Sequence, residues 1–576
     1  MFTAKKIKLF EVVKKTSGVP KNKFVQAGLM NSAETKSGNG AKKYITTGNP
    51  FVDQFGLTGQ YKKPRAFDVI AADCEKLWAL NKLLCVKFIF FLRTIVRVTD
   101  YINIGGSSNK TKGSQKGSQL KHEAIMRMIW LSQKSIHTFK KNLTFMVALG
   151  SWKDIITMLQ YDLVYNGWQD RVLPWEFIGN FILSGLNSKS QCELVKKYLP
   201  QLRANSKCTT VEAQADNIIA KWLCNIIYGQ KQTETAKVFN YKQYRQLKVS
   251  GTAHQWQQLI SRQEFEKIDF DKVHGRALNL MVKSKFLANQ GLSDKYKKFV
   301  TNPETTTLKF TGFVHEVMQL IIPYLGSSYA IRNTLSNVPV EVQETANKQF
   351  MGLIEKGGSS EQSNLIVVRD TSGSMSSKCP GVNDMSCYDV AKSLALYFSY
   401  FLKGEFEGTW IEFNDRAKMH NWLGDTPCER WANDISQYVG STNFQSVIDL
   451  LCRIKHQGIS EEDFPTGILC ISDGEFNSGN LPNATNYQEA IAKLRANGFS
   501  EEYVSNFTMV FWNLQNNYYG QGNSGNKFET YGNVPNVYYF SGYEPSIISF
   551  LTSKIKNAEE LFLEAMNQEI LNLIEL

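Results

Sequence analysis

Residues 365–375, LIVVRDTSGSM, place one carboxylate and two hydroxyls directly after a short apolar run. An Ile- and Val-rich run of this length is typical of a buried parallel strand. The Asp-x-Ser-x-Ser spacing puts Asp370, Ser372 and Ser374 on one tight turn at the carboxyl end of that strand, which is where open α/β sheets bind ligands. Hard oxygen ligands with few carboxylates suit Mg²⁺, which keeps several waters and leaves a coordination position for a partner.

Two further polar positions follow in the same half of the chain. GSTNF (440–444) places Thr442 at a cap-like turn before a predicted helix, and ISDGEF (471–476) ends a second buried run with Asp473. Each alone is common, because Asp-Gly forms turns and Ser, Thr and Asn cap helices. Together with the first motif they predict five oxygen ligands above neighbouring strands. The alternative is a metal-free site in which the same residues hydrogen bond to one another.

Hydrolytic chemistry has little support in these residues. Two-metal phosphoryl transfer generally needs a denser set of carboxylates, and nothing in the sequence resembles a nearby base. The chain has only seven His, which do not cluster, and no Ser/His/Asp order. We therefore predict a binding protein rather than an enzyme. A metal-dependent phosphoesterase is the weakest of the alternatives.

The elements that must position these residues alternate between strands and helices from residue 361 onward. The strand candidates are LIVVRD, TWIEFN, GILCISD, FTMVFWN and VYYFSG, and helical stretches such as YDVAKSLALYFSYFLKG lie between them. Strand–helix alternation predicts a doubly wound, mostly parallel sheet. We assign this domain to residues 361–545 and amphipathic C-terminal helices to residues 546–576.

The chain before residue 361 has a helical pattern instead. Apolar stripes at helix spacing recur from about residue 66 to residue 355, each followed by a Gly, Pro or polar break. This pattern predicts helical hairpins packed side by side as an α-solenoid over residues 51–358. A basic arm over residues 1–50, with loop signals such as KSGNGAKK, precedes them, and the lysine-containing Gly/Ser loop 104–122 is predicted to be flexible.

The net charge of +13 conceals a strong asymmetry. Residues 361–576 contain 14 Lys and Arg against 27 Asp and Glu, a net charge of −13, whereas residues 1–360 contain 52 against 26, a net charge of +26. A basic part of this size usually binds a polyanion, either nucleic acid or an anionic membrane surface. A lysine-rich, solvated surface without a polyanionic partner is the alternative.

Cysteine usage and hydropathy indicate the compartment. The ten Cys are scattered without a Cys-x-x-Cys pair, which predicts neither zinc nor a disulfide framework and favours a reducing compartment. The most apolar stretch, LLCVKFIFFLRTIVRV, is interrupted by Lys87, Arg93 and Arg97, so we predict a buried helix rather than a membrane span. We expect a cytoplasmic protein, and the lysine- and asparagine-rich composition is compatible with a viral or phage origin.

The five-residue set resembles the metal-ion-dependent adhesion site of von Willebrand factor A domains. The resemblance implies that Ser372 and Ser374 bind the ion directly, and that Asp370, Thr442 and Asp473 bind it directly or through water. It also implies an open coordination position that accepts a carboxylate or phosphate oxygen from a partner.

The order of motifs along the chain is similar to that of the TROVE/Ro ribonucleoprotein superfamily. The matching segments include GNPFVDQF, VALGSWKDIITML and HEVMQLI, followed by DTSGSM, STNFQSVIDLL, ISDGEFN and MVFWNL. The resemblance implies a monomeric ring of HEAT-like helical repeats closed by contact with the A domain. It further implies that single-stranded RNA ends enter the basic hole and that small structured RNAs lie on the outer surface.

We therefore predict an RNA-binding, ring-shaped scaffold of a ribonucleoprotein that binds a protein partner through Mg²⁺. The alternative is a metal-dependent protein interaction scaffold that does not bind RNA. Trp152, beside Lys153, can be read as a base-stacking residue, but a core position is favoured because large aromatic side chains are mostly buried. The candidate RNA contacts are Lys62, Lys63, Arg65, Lys110, Lys112, Lys116, Lys121, Lys153, Lys283 and Lys285.

Overall fold

The computed structural model describes most of the chain. The described residues are 34–36, 39, 42–44, 46–58, 64–95, 97–99, 102–104, 107–109, 113–204, 208–229, 231–233, 236–238, 241–250, 255–325, 335–357, 364–382, 384–402, 406–434, 436, 439–481, 484–515, 534–545, 555 and 557–576. They form two compact units. Unit 1 comprises the described residues of Met1–Lys63 and His274–Asn567, and unit 2 comprises those of Pro64–Val273 and Gln568–Leu576.

The described helices and strands are numbered in chain order. The helices are α1 (Pro50–Gly56), α2 (Phe67–Leu80), α3 (Lys82–Arg93), α4 (Lys121–Lys134), α5 (Ile136–Ala148), α6 (Trp152–Asn166), α7 (Trp175–Asn187), α8 (Cys192–Tyr198), α9 (Val211–Tyr228), α10 (Tyr241–Ser250), α11 (Gln255–Ser261), α12 (Gly275–Lys283), α13 (Phe286–Asn289), α14 (Ser293–Val300), α15 (Val314–Met318), α16 (Val340–Gly357), α17 (Cys387–Ser399), α18 (Pro427–Asn433), α19 (Gln445–Lys455), α20 (Asn486–Ala496), α21 (Glu501–Asn506) and α22 (Ala558–Met566). The strands are β1 (Glu34–Lys36), β2 (Lys42–Tyr44), β3 (Arg97–Thr99), β4 (Ile102–Ile104), β5 (Ser107–Asn109), β6 (Gly113–Gln115), β7 (Lys231–Thr233), β8 (Ala236–Val238), β9 (Leu365–Asp370), β10 (Thr409–Phe413), β11 (Ala417–Asn421), β12 (Gly467–Ser472), β13 (Thr508–Asn513) and β14 (Val537–Ser541).

A six-stranded sheet organises the second half of unit 1. Its strand order is β11-β10-β9-β12-β13-β14, with β11 antiparallel to β10 and all other neighbours parallel. Every residue of β9 and of β12 is buried, because helices cover both faces of a sheet of this kind. The predicted N-terminal helical region and mostly parallel C-terminal sheet are confirmed, whereas the helical repeats, the ring and the A-domain assignment stay predictions.

The order of strands creates a crevice at the centre of the sheet. The chain passes from β9 to β10 and β11 on one side, and then continues with β12, β13 and β14 on the other side. Such a reversal separates the loops that leave neighbouring strands and opens a site at their carboxyl ends. The crevice therefore lies above β9 and β12, where Asp370 and Asp473 end or follow the strands.

Apolar side chains hold this sheet on both faces and at one edge. Helix α17 packs on β9 and β12 and is buried at every residue except Asp389. The opposite face packs against α19 and α20 through a core that includes Ile366, Val368, Val447 and Leu494. The GNPFVDQF segment forms α1, and Phe55 contacts Phe540 of β14 with ring centroids 6.5 Å apart.

Unit 2 consists mainly of helices that pack on one another, with ionic contacts in their interior. The buried Arg93 and Asp154 side chains lie 2.6 Å apart, and Arg127 lies 2.9 Å from Glu123. The apolar stretch that begins at Leu83 forms α3, which ends at Arg93 and is largely buried. None of the described helices is long and apolar enough to cross a membrane.

Short strands occur where the sequence predicts none. Strands β3 and β6 pair, as do β4 and β5, so residues predicted to form a flexible loop around 104–122 include two paired strands. Strands β1 and β2 likewise pair within the predicted basic arm. Strands of three residues are too short to show the alternating apolar pattern by which strands are recognised in a sequence.

Helices α12–α16 belong to unit 1 rather than to the helical unit 2. Helix α16 packs against α18, and α15 packs against α17, both of which lie in the sheet region of the same unit. The domain boundary that the sequence predicts at residues 358–361 stays a prediction. The compact units of the structure divide instead after residue 273.

Candidate metal centre

Asp370 lies at the base of the crevice. It is the last residue of β9, and its side chain is fully buried. The backbone N–H of Ser372 donates to Asp370 Oδ1 over 2.8 Å, and the Ser472 hydroxyl donates to Asp370 Oδ2 over 2.5 Å. These two bonds fix the orientation of the carboxylate at the carboxyl end of the strand.

The two serines of the first motif lie side by side above Asp370. The turn that follows β9 continues into a single 3-10 turn over Gly373–Ser376. Ser372 Oγ and Ser374 Oγ lie 3.1 Å apart, with Ser372 buried and Ser374 exposed. The motif therefore presents two neighbouring hydroxyl oxygens between a buried carboxylate and solvent.

Asp473 supplies the second carboxylate of the crevice. It follows β12 directly, is fully buried, and accepts a hydrogen bond from the Glu475 N–H at 3.2 Å. Burial, together with the negative charge of Asp473, raises the pKa of Asp370 from 3.8 to about 7. Two buried carboxylates that repel each other are suited to bind a divalent cation, because the cation neutralises the repulsion between them.

Thr442 lies in a third loop that is bonded to the other two. The Gly373 N–H donates to the carbonyl of Gly440 over 3.2 Å, and the Asn477 N–H donates to the carbonyl of Thr442 over 2.9 Å. The Thr442 side chain is 1% exposed. Backbone hydrogen bonds thus hold the Thr442 loop against both the serine turn and the loop after Asp473.

Gly440 shapes the Thr442 loop through its backbone conformation. Its φ is +77°, and a Cβ at this position would lie 2.4 Å from Asp415 Oδ2. Asp415 cannot move freely, because Oδ1 accepts bonds from both the N–H and the hydroxyl of Ser441. These bonds also lower the pKa of Asp415.

We expect Gly440→Ala to lower the free energy of unfolding and to weaken cation binding. The left-handed backbone alone costs about 1–2 kcal/mol for a residue with a Cβ, and the contact with Asp415 adds to it. Gly458→Ala is the matched control, because Gly458 has a φ of +84° with open space around its Cβ position. Urea unfolding and a cation titration measure both effects; equal losses in the two variants would contradict a role for the Asp415 contact.

The structure brings four of the five predicted ligands together by direct interactions. Asp370, Ser372 and Ser374 form a hydrogen-bonded group, and Asp473 interacts with it electrostatically. Thr442 joins through the backbone of its loop. No group of three or more His, Cys, Asp or Glu side chains suited to a metal occurs among the described residues, and a hydroxyl-rich set of this kind contains only two carboxylates.

One residue of the crevice escaped the sequence analysis. Ser472 donates to Asp370 and accepts from the N–H of Gly474 at 3.0 Å, so it links the two strand ends. Ile471 lies opposite Arg369 in the parallel register, which makes Ser472 the neighbour of Asp370. The ISDG motif contained this hydroxyl, but only the register of β9 and β12 assigns it a contact.

A family comparison covers this part of the chain. Residues 364–572 match a family described as a domain of unknown function, DUF7788. The matched range includes the whole sheet and all five predicted metal ligands. No curated protein matches the chain.

The predicted RNA contacts, unlike the predicted metal ligands, lie in different parts of the structure. Arg65 pairs with Asp73 at 2.8 Å and with Glu123 at 2.5 Å. Lys121 donates to Thr157 over 2.8 Å, and burial, partly offset by Asp154, lowers its pKa to about 8. Both side chains therefore bond to other residues of unit 2, which weakens their assignment as phosphate contacts.

The remaining candidates divide between the two units. Lys153 is exposed on α6 of unit 2, whereas the exposed Lys283 and Lys285 lie in unit 1, where Lys283 donates to Gln319 over 3.0 Å. Burial lowers the pKa of Lys116, whose backbone bonds to Gln568. Lys62, Lys63, Lys110 and Lys112 lie outside the described residues.

Trp152 is a core residue, as the sequence analysis favoured. It is 5% exposed, lies 5.0 Å from Phe181 between ring centroids, and donates from Nε1 to Gln191 over 3.0 Å. Its ring is therefore not available for stacking on a base.

Proposed function

We propose that the chain is a binding protein that recruits a partner through a divalent cation held above β9 and β12. The observation that carries this proposal is the convergence of Asp370, Ser372, Ser374 and Asp473 at the reversal point of the sheet. Mg²⁺ fits this set best, because it prefers oxygen ligands, retains water and needs few carboxylates.

The ligands of the proposed site favour an anionic partner group. Bound Mg²⁺ supplies a Lewis-acidic centre with a replaceable water. Ser372 and Ser374 would be neutral oxygen ligands, which do not cancel the charge of the cation and so preserve its affinity for an anionic oxygen. The buried Asp370 and Asp473 would hold the cation in the crevice. The partner group is then a carboxylate or phosphate oxygen.

The surroundings favour a carboxylate on a protein. The rim of the crevice includes Val439, which is 51% exposed and donates its N–H to the carbonyl of Thr371 over 2.8 Å. An exposed apolar side chain favours a protein partner, because the centre of a protein interface is more apolar than the rest of the surface, whereas phosphates are contacted by cationic and polar groups.

Calorimetric titration of the full chain with Mg²⁺, and electron paramagnetic resonance with Mn²⁺, test the proposal. We expect one cation per chain, with affinity lost in Ser372→Ala and Asp473→Ala. Acetate should displace water from bound Mn²⁺, which water proton relaxation detects. No cation binding at millimolar concentrations would overturn the proposal.

RNA binding by the basic part of the chain is a second proposed function. Its support is charge, because Pro64–Val273 and Gln568–Leu576 together contain 30 Lys and Arg against 19 Asp and Glu, a net charge of +11. Neutralised phosphates dominate affinity for nucleic acids. A ring-shaped ribonucleoprotein scaffold combines this function with the cation site, and a protein interaction scaffold without RNA is the alternative.

Lys153 and Arg65 are expected to behave differently in an RNA-binding assay. Lys153→Ala should weaken binding of a labelled single-stranded RNA and reduce the slope of log affinity against log salt by about 0.7. Arg65→Ala should mainly lower the melting temperature, because it leaves Glu123 with one fewer cationic partner. Fluorescence anisotropy across a salt series, without and with chelator, measures the first effect. No RNA binding at low salt would favour the scaffold without RNA.

A further inference from the structure

The predicted basic arm contributes a residue to the rim of the crevice. Between strands β1 and β2, Asn39 donates from Nδ2 to the carbonyl of Glu475 over 2.6 Å. The backbone carbonyl of Asn39 also accepts a bond from the N–H of Ser478 at 3.3 Å. One exposed residue thus bonds twice to the loop that follows β12, and all of these residues belong to unit 1.

The loop that Asn39 contacts connects the predicted ligands. The N–H of Glu475 donates to Asp473 Oδ1 over 3.2 Å, and the N–H of Asn477 donates to the carbonyl of Thr442 over 2.9 Å. The two Asn39 bonds are made at residues 475 and 478, on either side of the bond to Thr442. Asn39 therefore fixes the segment that sets the position of Asp473 relative to the Thr442 loop.

We propose that Asn39 is a positioning residue of the cation site. This role rests on the proposed function, because it concerns the same site. Without the Asn39 amide, the loop over residues 474–478 samples more conformations before the cation binds, and ordering it opposes binding. The amide acts through the loop and does not itself contact the cation ligands.

The test compares Mn²⁺ affinity of the full chain with that of Asn39→Ala. We expect the affinity to fall by about 3- to 10-fold, the effect of one hydrogen bond, while the melting temperature of the cation-free protein falls no further than in the control variant. Asn39→Gln retains a carboxamide donor and should restore part of the affinity. Asn506→Ala is the control, because the amide of the exposed Asn506 donates within its own helix, to the carbonyl of Glu502.

Hydrogen exchange at the Ser478 amide separates positioning from a purely local contact. Asn39→Ala should accelerate exchange at this amide in the cation-free protein, in parallel with the loss of affinity. Faster exchange with unchanged affinity would overturn the positioning role and leave the proposed function intact. Absence of cation binding by the unmodified chain would overturn both.

Discussion

Asp370→Asn is expected to abolish cation binding and, at the same time, to stabilise the cation-free protein. The carboxylate is fully buried beside Asp473, and its pKa of about 7 means that its charge is disfavoured in the folded chain. Asparagine has the same shape, keeps an acceptor for the Ser372 N–H, and offers its amide to Ser472 Oγ. Removing one of the two negative charges should therefore raise the free energy of unfolding by up to a few kcal/mol above pH 7.

Two measurements establish this pair of effects. Calorimetry should show a loss of Mg²⁺ affinity of about 100-fold or more, because losing one of the two carboxylates of the site exceeds the effect of losing its supporting contacts. Thermal unfolding in chelator should show a higher melting temperature. Asp449→Asn is the control, because Asp449 is half-exposed and pairs with Lys493 on the helical layer. A lower melting temperature in Asp370→Asn would indicate that hydrogen bonding, rather than repulsion, dominates the cation-free site.

The contribution of Asp370 to the free energy of unfolding of the cation-free protein should fall as the pH rises from about 4 to about 7. The pKa of Asp370 is 3.8 in the unfolded chain and about 7 in the folded chain. Between these values the folded state binds more protons than the unfolded state, so each increment of pH disfavours folding. The stabilising contribution is complete below pH 3.8 and is lost once the pH exceeds about 7.

Saturating Mg²⁺ should reverse this trend, because a bound cation favours the ionised carboxylate. Urea unfolding at pH 5, 6, 7 and 8, in chelator and in Mg²⁺, measures both curves. In Asp370→Asn the part of the pH dependence that arises from this carboxylate should disappear. Parallel curves with and without Mg²⁺ would contradict a cation bound by Asp370.

The sequence was most informative where the site is contiguous. Asp370, Ser372 and Ser374 are adjacent in the chain, so a strand followed by a turn was enough to place them together. Thr442 and Asp473 are distant from this motif in the chain. Placing them beside it depended on the α/β sheet that the alternation of elements predicted. Ser472 was missed because its contact depends on the register between β9 and β12.

Composition was a weaker guide to individual charged residues. Arg65 was a candidate RNA contact because it lies in a basic segment, yet its partners are Asp73, eight residues away, and Glu123, on a different helix. Asn39 was part of an apparent loop, and its partners lie more than 430 residues further along the chain. Pairings of this kind follow from tertiary packing, which neither periodicity nor net charge reports.

The division of the chain into its two units has a consequence for synthesis on the ribosome. The chain passes from one unit to the other after residues 63, 273 and 567. Unit 2 includes Gln568–Leu576, where the Gln568 amide exchanges two hydrogen bonds with the backbone of Lys116 and Asn572 accepts from Lys87. Unit 1 is thus begun before unit 2 and emerges completely before unit 2 can be finished. While the sheet is still being translated, the helical unit of a nascent chain therefore lacks the hydrogen bonds of Gln568 and Asn572.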